Sequence, residues 1–380
     1  MPEGEAGPRG ALKTRYRLFF RWLTPDPGDR YLVPMGALVF PSLVRLASLT
    51  RRSLPVAQLG ARRLLGRKSP FQMTLSLTNR CNFRCEYCNI PLQHRDEMST
   101  DEWRAAIDDL VSGGMGRVSL IGGEPLLRKD VGAIIDHLKL RGVHVAMNTN
   151  GWFVPAQIDD VAKLDLVCVT LDGPEEIHDR QRHPGSYRRA IAALEALRAR
   201  GVPLVTMTVL TPDGAERMEH VLEVARSMRF LAFFQLEHDG DCDVDLPVAP
   251  RLDDGRVTRL AERLLALEAA GEPVGNSRWI LDLQTRRRYL GSCEECHAGR
   301  YYGYVLSDGT VAPCLLTQWQ APRGNGRERG FLRAFHELAA PQGPGCSCVP
   351  THEVNRILDF DAKALFHALD LAVRPAVQVG

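Results

Sequence analysis

Gln72-Met73-Thr74-Leu75-Ser76-Leu77-Thr78-Asn79-Arg80-Cys81-Asn82-Phe83-Arg84-Cys85-Glu86-Tyr87-Cys88 decides how this chain is read. Residues 72–77 read as a strand. The loop after it sets three cysteines at C-x3-C-x2-C, a spacing tight enough to bring three thiolates onto one face of an iron–sulfur cube. Four-iron clusters usually take four cysteine ligands. Three leave one iron with open coordination, and an open iron can bind and activate a ligand. The competing reading is a structural zinc loop. Such zinc sites favour four ligands in paired Cys or Cys/His arrangements, and no fourth ligand lies near this loop.

Working outward, strand and helix signals alternate from residue 71. Ser99-Thr100-Asp101-Glu102 is a capping box that opens a helix to about Val111. Further strands are read at residues 117–121, 143–147, 166–171, 204–210 and 230–237, with helices at 129–140, 186–200 and 215–227. Strand followed by loop and helix argues a parallel sheet with right-handed crossovers. Six such units predict an α/β fold, a partial (β/α)6 TIM-type barrel with a laterally open mouth. Gly122-Gly123-Glu124-Pro125, Asn148-Thr149-Asn150-Gly151 and Thr170-Leu171-Asp172-Gly173-Pro174 each follow a strand. Functional residues of β/α barrels gather on that face. Longer helices are read at 252–270 and 354–372.

Ten cysteines in 380 residues are too sparse for a disulfide scaffold. Their clustering points to metal or cluster ligation in a reducing, cytoplasmic compartment. The second cluster is Cys293-x2-Cys296, Gly309-x4-Cys314 and Cys346-x-Cys348. Leu306-Ser307-Asp308-Gly309-Thr310-Val311 reads as a hairpin with an Asp-Gly turn that brings Cys296 and Cys314 together. Taken alone, these cysteines also permit a zinc ribbon. Cys168, mid-strand, reads as a small buried hydrophobe. Cys242 lies in an acidic loop after the sixth strand and has two readings: a hydrogen-atom donor or substrate contact, or part of a solvated loop.

Hydrophobic residues are 44% of the chain, enough for a sizeable core. A net charge of +2 gives no reason to expect a nucleic-acid partner. The charge is uneven, with thirteen Lys/Arg against four Asp/Glu in residues 1–70. Residues 42–52 and 57–66 read as basic amphipathic helices, which suit either an anionic membrane surface or packing against the barrel with a solvated basic face. Pro34, Pro41 and Arg45 interrupt the most apolar stretch and argue against a spanning helix. The N-terminus lacks the pattern of a signal peptide.

The spacing of Cys81, Cys85 and Cys88, the aromatic Tyr87, and Gly122-Gly123-Glu124-Pro125 at the next strand end resemble the radical S-adenosylmethionine (SAM) superfamily, over residues 71 to about 350. The resemblance implies that Cys81, Cys85 and Cys88 hold a [4Fe-4S] cluster and that Gly122, Gly123, Glu124 and Pro125 hold the SAM amino group. It implies contacts from Asn148 and Asn150 to the SAM ribose or carboxylate. The stretch containing Asp172, His178-Asp179, Arg182 and Gly185-Ser186-Tyr187 is similar to relatives with a C-terminal auxiliary-cluster domain. There, Thr170 and Arg182 are the candidates for the SAM carboxylate, Thr170 standing where many relatives have Ser. His178 and Asp179 also read as helix-capping residues.

The pattern Cys296-x12-Gly309-x4-Cys314 is similar to the opening of SPASM and shortened twitch domains. With only Cys346 and Cys348 downstream, one auxiliary [4Fe-4S] cluster is the better count. Cys296, Cys314, Cys346 and Cys348 are then the preferred ligands and Cys293 a fifth candidate. The implied division is an N-terminal extension at 1–70, a core barrel at 71–270, an auxiliary domain at 271–350 and a C-terminal helix and tail at 351–380. The implied activity is reductive cleavage of SAM to a 5′-deoxyadenosyl radical, fed by flavodoxin or ferredoxin, and hydrogen abstraction from a peptide, protein or small molecule. The alternatives are modification of a lipid or isoprenoid at a membrane surface, or a non-catalytic iron–sulfur or zinc module.

Overall fold

The computed structural model describes Leu59 and residues 62–63, 65–211, 214–236, 253–286, 296–314, 323–340 and 349–361. Expectations for residues 1–58, Cys242, Cys293, Cys346, Cys348 and the chain beyond residue 361 lie outside them.

Six strands form a consecutive parallel series: β1 (Gln72–Ser76), β2 (Arg117–Ile121), β3 (His144–Thr149), β4 (Leu166–Thr170), β5 (Leu204–Leu210) and β6 (Leu231–Leu236). The connecting helices are α1 (Thr100–Ser112), α2 (Val131–Leu140), α3 (Ile158–Val161), α4 (Glu175–Gln181), α5 (Ser186–Ala199) and α6 (Gly214–Met228). β1 does not pair with β6, so the barrel stays open. On the other side of β1 the sheet continues into β7 (Tyr302–Val305), β8 (Thr310–Ala312) and β9 (Gly324–Asn325). β7 is parallel to β1, pairing Gln72 with Tyr302 and Leu75 with Val305, while β8 and β9 return antiparallel.

Alternation along the strands explains the layering. Met73, Leu75, Val118, Leu120, Val145 and Met147 point to the buried face. They share one core with Trp103, Ile107 and Leu110 of α1 and Ile134, Ile135 and Leu138 of α2. Full burial of each such side chain stabilises by about 1.5–3 kcal/mol, so this layer sets the strand register and hence what lies at the strand ends. The alternate face carries Thr74, Ser119, Asn148, Thr170 and Gln235, none of them buried. The capping box at Ser99 and Glu102 forms as expected.

Beyond the barrel lie α7 (Asp254–Ala269), α8 (Arg278–Thr285), α9 (Gly326–Arg329), α10 (Phe331–Glu337) and α11 (Val349–Leu358). α11 corrects the expectation of one helix over 354–372. It begins earlier and ends at Leu358, because Phe360 turns left-handed at φ 57°. Just before that turn, Asp359 accepts hydrogen bonds from His297 (2.7 Å) and Arg63 (2.8 Å).

Arg62, Arg63 and Lys68 face protein partners. Arg62 reaches Ser69 Oγ at 3.0 Å, and Lys68 donates to the His336 carbonyl at 2.9 Å. Leu59 packs with Phe71, Tyr301 and Tyr302. Among the described residues no helix is long and apolar enough to cross a membrane.

Candidate active site at the strand ends

Cys81, Cys85 and Cys88 are all half-buried on the loop leaving β1. The loop has little regular structure of its own and is held from outside. The Gly123 amide donates to the Thr78 carbonyl at 2.7 Å and the Glu124 amide to the Arg80 carbonyl at 2.9 Å. Side chains could not fit there. A Cβ on Gly123 would lie 2.3 Å from the Arg80 carbonyl oxygen, and one on Gly122, at φ 150°, would lie 2.3 Å from that of Thr78. The two glycines therefore let two backbones touch, and the touch fixes the stem of the cysteine loop. Pro125 is buried at the start of the next turn.

Glu124 is enclosed. Its carboxylate accepts from the Leu126 amide (3.1 Å), Thr149 Oγ1 (2.9 Å) and the Asn150 amide (2.8 Å), joining the ends of β2 and β3. Burial pushes this carboxyl up to about 7, against the pull of those donors and of Arg182. Asn150 extends the link to the loop, with Nδ2 2.8 Å from Asn82 Oδ1 and 4.0 Å from Cys81 Sγ. Asn148 is exposed, and Thr170 is half-buried at the end of β4.

Under the loop lies a buried ion pair. Arg182 Nε is 2.5 Å from Asp172 Oδ2, and Asp172 is fully enclosed. Tyr87 donates its hydroxyl proton to the same carboxylate at 3.0 Å and receives an N–H from Arg182. Arg182 Nη1 lies 3.9 Å from Cys85 Sγ. Burial alone would raise Asp172, but the Arg182 guanidinium holds its carboxyl below the usual range. Burial pushes His178 down to about 4, so it is neutral, and its Nδ1 accepts the Asp172 amide at 3.0 Å. Asp179 takes the capping role, accepting from the Gly185 and Tyr187 amides at the start of α5.

The structure thus gathers Cys81, Cys85, Cys88, Tyr87, Gly122, Gly123, Glu124, Pro125, Asn150 and Arg182 around one loop. Sequence reasoning missed the Asp172–Arg182 pair. It also missed Arg128, whose buried guanidinium ties the Leu77 and Met98 carbonyls together, both at 3.1 Å. Arg128 carries no local signal for this role, because the two carbonyls lie 51 and 30 residues earlier in the chain.

The three thiols suit an iron–sulfur cube. Burial raises all three thiols, Cys85 to about 11, with contributions from one another's charge. Asn150 Nδ2 and the Phe83 amide reach Cys81 Sγ, and Arg182 Nη1 reaches Cys85 Sγ, contacts of the kind that tune ligating sulfurs in clusters. Among the described residues no three His, Cys, Asp or Glu side chains converge where a single metal ion would sit. A cube takes each thiolate on a different iron and does not need that convergence.

In the second region Cys314 is buried and Cys296 half-buried, and they share one apolar cluster with Phe71, Tyr301 and Tyr302. The hairpin forms with Gly309 at φ 84°, and the Thr310 amide donates to Asp308 Oδ1 at 3.0 Å. Cys296 Sγ lies 3.5 Å from Tyr302 Oη, which donates to Asn355 of α11. Cys168 is buried in β4, where desolvation raises its thiol to about 12.

Residues 75–225 match the model of the radical SAM superfamily. The chain is similar to the PqqA peptide cyclase of Xanthomonas campestris pv. campestris (strain B100), 27% identical over 255 residues, covering 64% of this chain and 67% of that one. It is also similar to the AdoMet-dependent heme synthase of Methanosarcina barkeri (28% over 308 residues; 72% and 86%). The fold is that of Streptococcus suis SuiB bound to S-adenosylmethionine, at a TM-score of 0.60 and 14% identity, covering 86% of this chain and 76% of that one. It is likewise that of anSMEcpe with bound AdoMet and the Kp18Cys peptide, at 0.55 and 18%, covering 70% and 81%. A three-cysteine loop at the exit of β1, clamped by Gly122-Gly123-Glu124-Pro125 from β2 on an open parallel barrel, agrees with these likenesses, and residues 75–225 are a radical SAM superfamily domain.

Proposed function

We propose that this chain reductively cleaves SAM and uses the resulting 5′-deoxyadenosyl radical to take a hydrogen atom from a peptide substrate. The observation that carries the reading is the loop itself: three half-buried thiols, two of them met by N–H donors, at the open end of a parallel barrel. Cys81, Cys85 and Cys88 would hold the [4Fe-4S] cluster. When bound, that cluster supplies a single electron and an iron with open coordination. The chain's own residues do the rest. Gly122 and Gly123 fix the loop stem, and Glu124 and Asn150 lock the neighbouring strand end. Asn148 and Thr170 stand at the strand ends and are the side chains offered to SAM.

A peptide substrate is favoured by the relatives. One is named a peptide cyclase, and SuiB and anSMEcpe have been solved with peptides. The electron would come from a flavodoxin or ferredoxin. Cys296 and Cys314, with Cys346, Cys348 or Cys293 completing the set, would hold one auxiliary [4Fe-4S] cluster.

Anaerobic reconstitution followed by SAM and dithionite tests the core of this reading. 5′-Deoxyadenosine is the expected product. None, with the first cluster demonstrably present, would sink the proposal. The Cys81→Ala/Cys85→Ala/Cys88→Ala variant should make no 5′-deoxyadenosine and retain iron and sulfide near about four per chain, one cube's worth. A count near zero would remove the auxiliary cluster.

A further inference from the structure

Arg182 is committed on two of its three nitrogens before any ligand arrives. Nε is given to Asp172 at 2.5 Å and Nη2 to the Tyr87 hydroxyl. The guanidinium carbon stands 5.5 Å from the centre of the Tyr87 ring. The remaining nitrogen, Nη1, points to Cys85 Sγ at 3.9 Å. Asp172, which orients the fork, is itself fixed from the barrel wall. Its Oδ1 accepts the Val209 amide of β5 at 3.0 Å, and its own amide donates to His178 of α4 at 3.0 Å. Asp172 is wholly enclosed and Arg182 nearly so. The Nε–H to the enclosed carboxylate is a charge-assisted hydrogen bond, and charges shielded from water act strongly on their neighbours.

The resemblance to relatives assigns Arg182 to the SAM carboxylate. The contacts here point elsewhere. We infer that Arg182, oriented by Asp172, is a positioning residue that sets the reduction potential of the cluster bound at Cys85. This rests on reading Cys81, Cys85 and Cys88 as cluster ligands. Two levers act together. An N–H directed at a ligating sulfur, and net charge close to the cluster, both tune iron–sulfur potentials. One-electron reduction adds a negative charge to the cluster. Arg182 favours that charge and Asp172 opposes it, so the two partners must act with opposite sign.

The opposite signs supply the test. The full-length chain, reconstituted anaerobically without SAM, is titrated with dithionite while the reduced cluster is followed by electron paramagnetic resonance. The signal used is the one absent from the Cys81→Ala/Cys85→Ala/Cys88→Ala variant. Arg182→Met should lower the reduced-to-oxidised ratio at a fixed potential about tenfold, which is ~59 mV for a one-electron couple. Asp172→Asn keeps the arginine, removes the opposing charge and should raise the ratio. A purely structural role would not separate the two variants by sign. Unmoved potentials, or shifts in the same direction, overturn the inference. So does weakened SAM binding in Arg182→Met with an unchanged SAM-free potential, since that is the behaviour of a carboxylate ligand. If Arg182→Met takes up no cluster, Asp172→Asn decides alone: a raised ratio supports the inference and an unchanged one overturns it. A wild-type chain that loads no cluster at the loop overturns the proposed function and this inference together. A normally loaded wild type with unmoved variants overturns only the inference.

Discussion

The two cysteine-bearing regions hang from opposite ends of neighbouring strands. Cys81 to Cys88 follow the C-terminal end of β1. β7 runs parallel to β1 and starts beside Gln72, so Cys296 before it and Cys314 after the returning β8 belong to the N-terminal end. Phe71, the residue before β1, packs in the same cluster as Cys314. Four strand residues span about 13 Å, so at least that length of sheet lies between the two sets. They are also held differently. The first loop is pinned by backbone contact, buried carboxylates and a guanidinium, and stays half-open. Cys296 and Cys314 are pinned by a hairpin and aromatic packing, and Cys314 is closed off. Polar pinning leaves a loop that a small cosubstrate can reach; apolar packing gives a shielded one.

Removing the polar pins should break the first region and spare the second. Glu124→Ala takes the acceptor from three donors. Each orphaned buried group costs about 1–3 kcal/mol, so a loss near ~4 kcal/mol is expected in urea unfolding. The same carboxyl gives a pH signature. Its folded value of about 7 stands above the usual 4.5, so the native state binds a proton that the unfolded chain releases. That contribution is complete below the unfolded value and is lost as pH rises through the folded one, up to roughly 3 kcal/mol. Stability measured between those limits should therefore fall as pH rises in the wild type. Glu124→Gln should flatten the slope, and an unchanged slope would mean that another group titrates.

Gly123→Ala comes next. Its Cβ would press on backbone, which cannot swing aside as a side chain can. A cost of about 3 kcal/mol and poor iron uptake at the first loop are expected. Iron content equal to wild type would show that the clamp is dispensable.

Gly309→Ala probes the second region. A left-handed alanine costs about 1–2 kcal/mol, and its Cβ meets two flexible side chains, the stem of Arg327 at 2.8 Å and Met98 Sδ at 3.3 Å. Thermal unfolding should shift slightly, with 5′-deoxyadenosine formation intact. A large loss of that activity would tie the hairpin to the first site more closely than the contacts show.

The barrel and most of this site were legible in the sequence because they are locally encoded. Alternation set the strands, Ser99 and Glu102 set the start of α1, and Asp308-Gly309 set the hairpin. Gly122-Gly123-Glu124-Pro125 was legible as a motif, but its physical job was not. The glycines answer to Thr78 and Arg80, more than forty residues earlier. The joint contact of Arg182 with Asp172 and Tyr87 has no pattern of its own in the sequence, since it brings together the ends of different strands. The end of α11 differs from the 354–372 expectation because of partners far away in the chain. The apolar pattern runs on past Leu358, whereas Asp359 is held by His297 and Arg63, far away in the chain.

The pairing of β1 with β7 has a consequence for the protein's social behaviour. β1 is an interior strand only because the hairpin lies beside it. A chain shortened before residue 296 would leave the amides and carbonyls of residues 72–75 facing water along one flank. Such a flank accepts a strand from any neighbour. The hairpin thus covers that flank and moves the edge of the sheet from β1 to the two-residue β9, whatever else its cysteines hold.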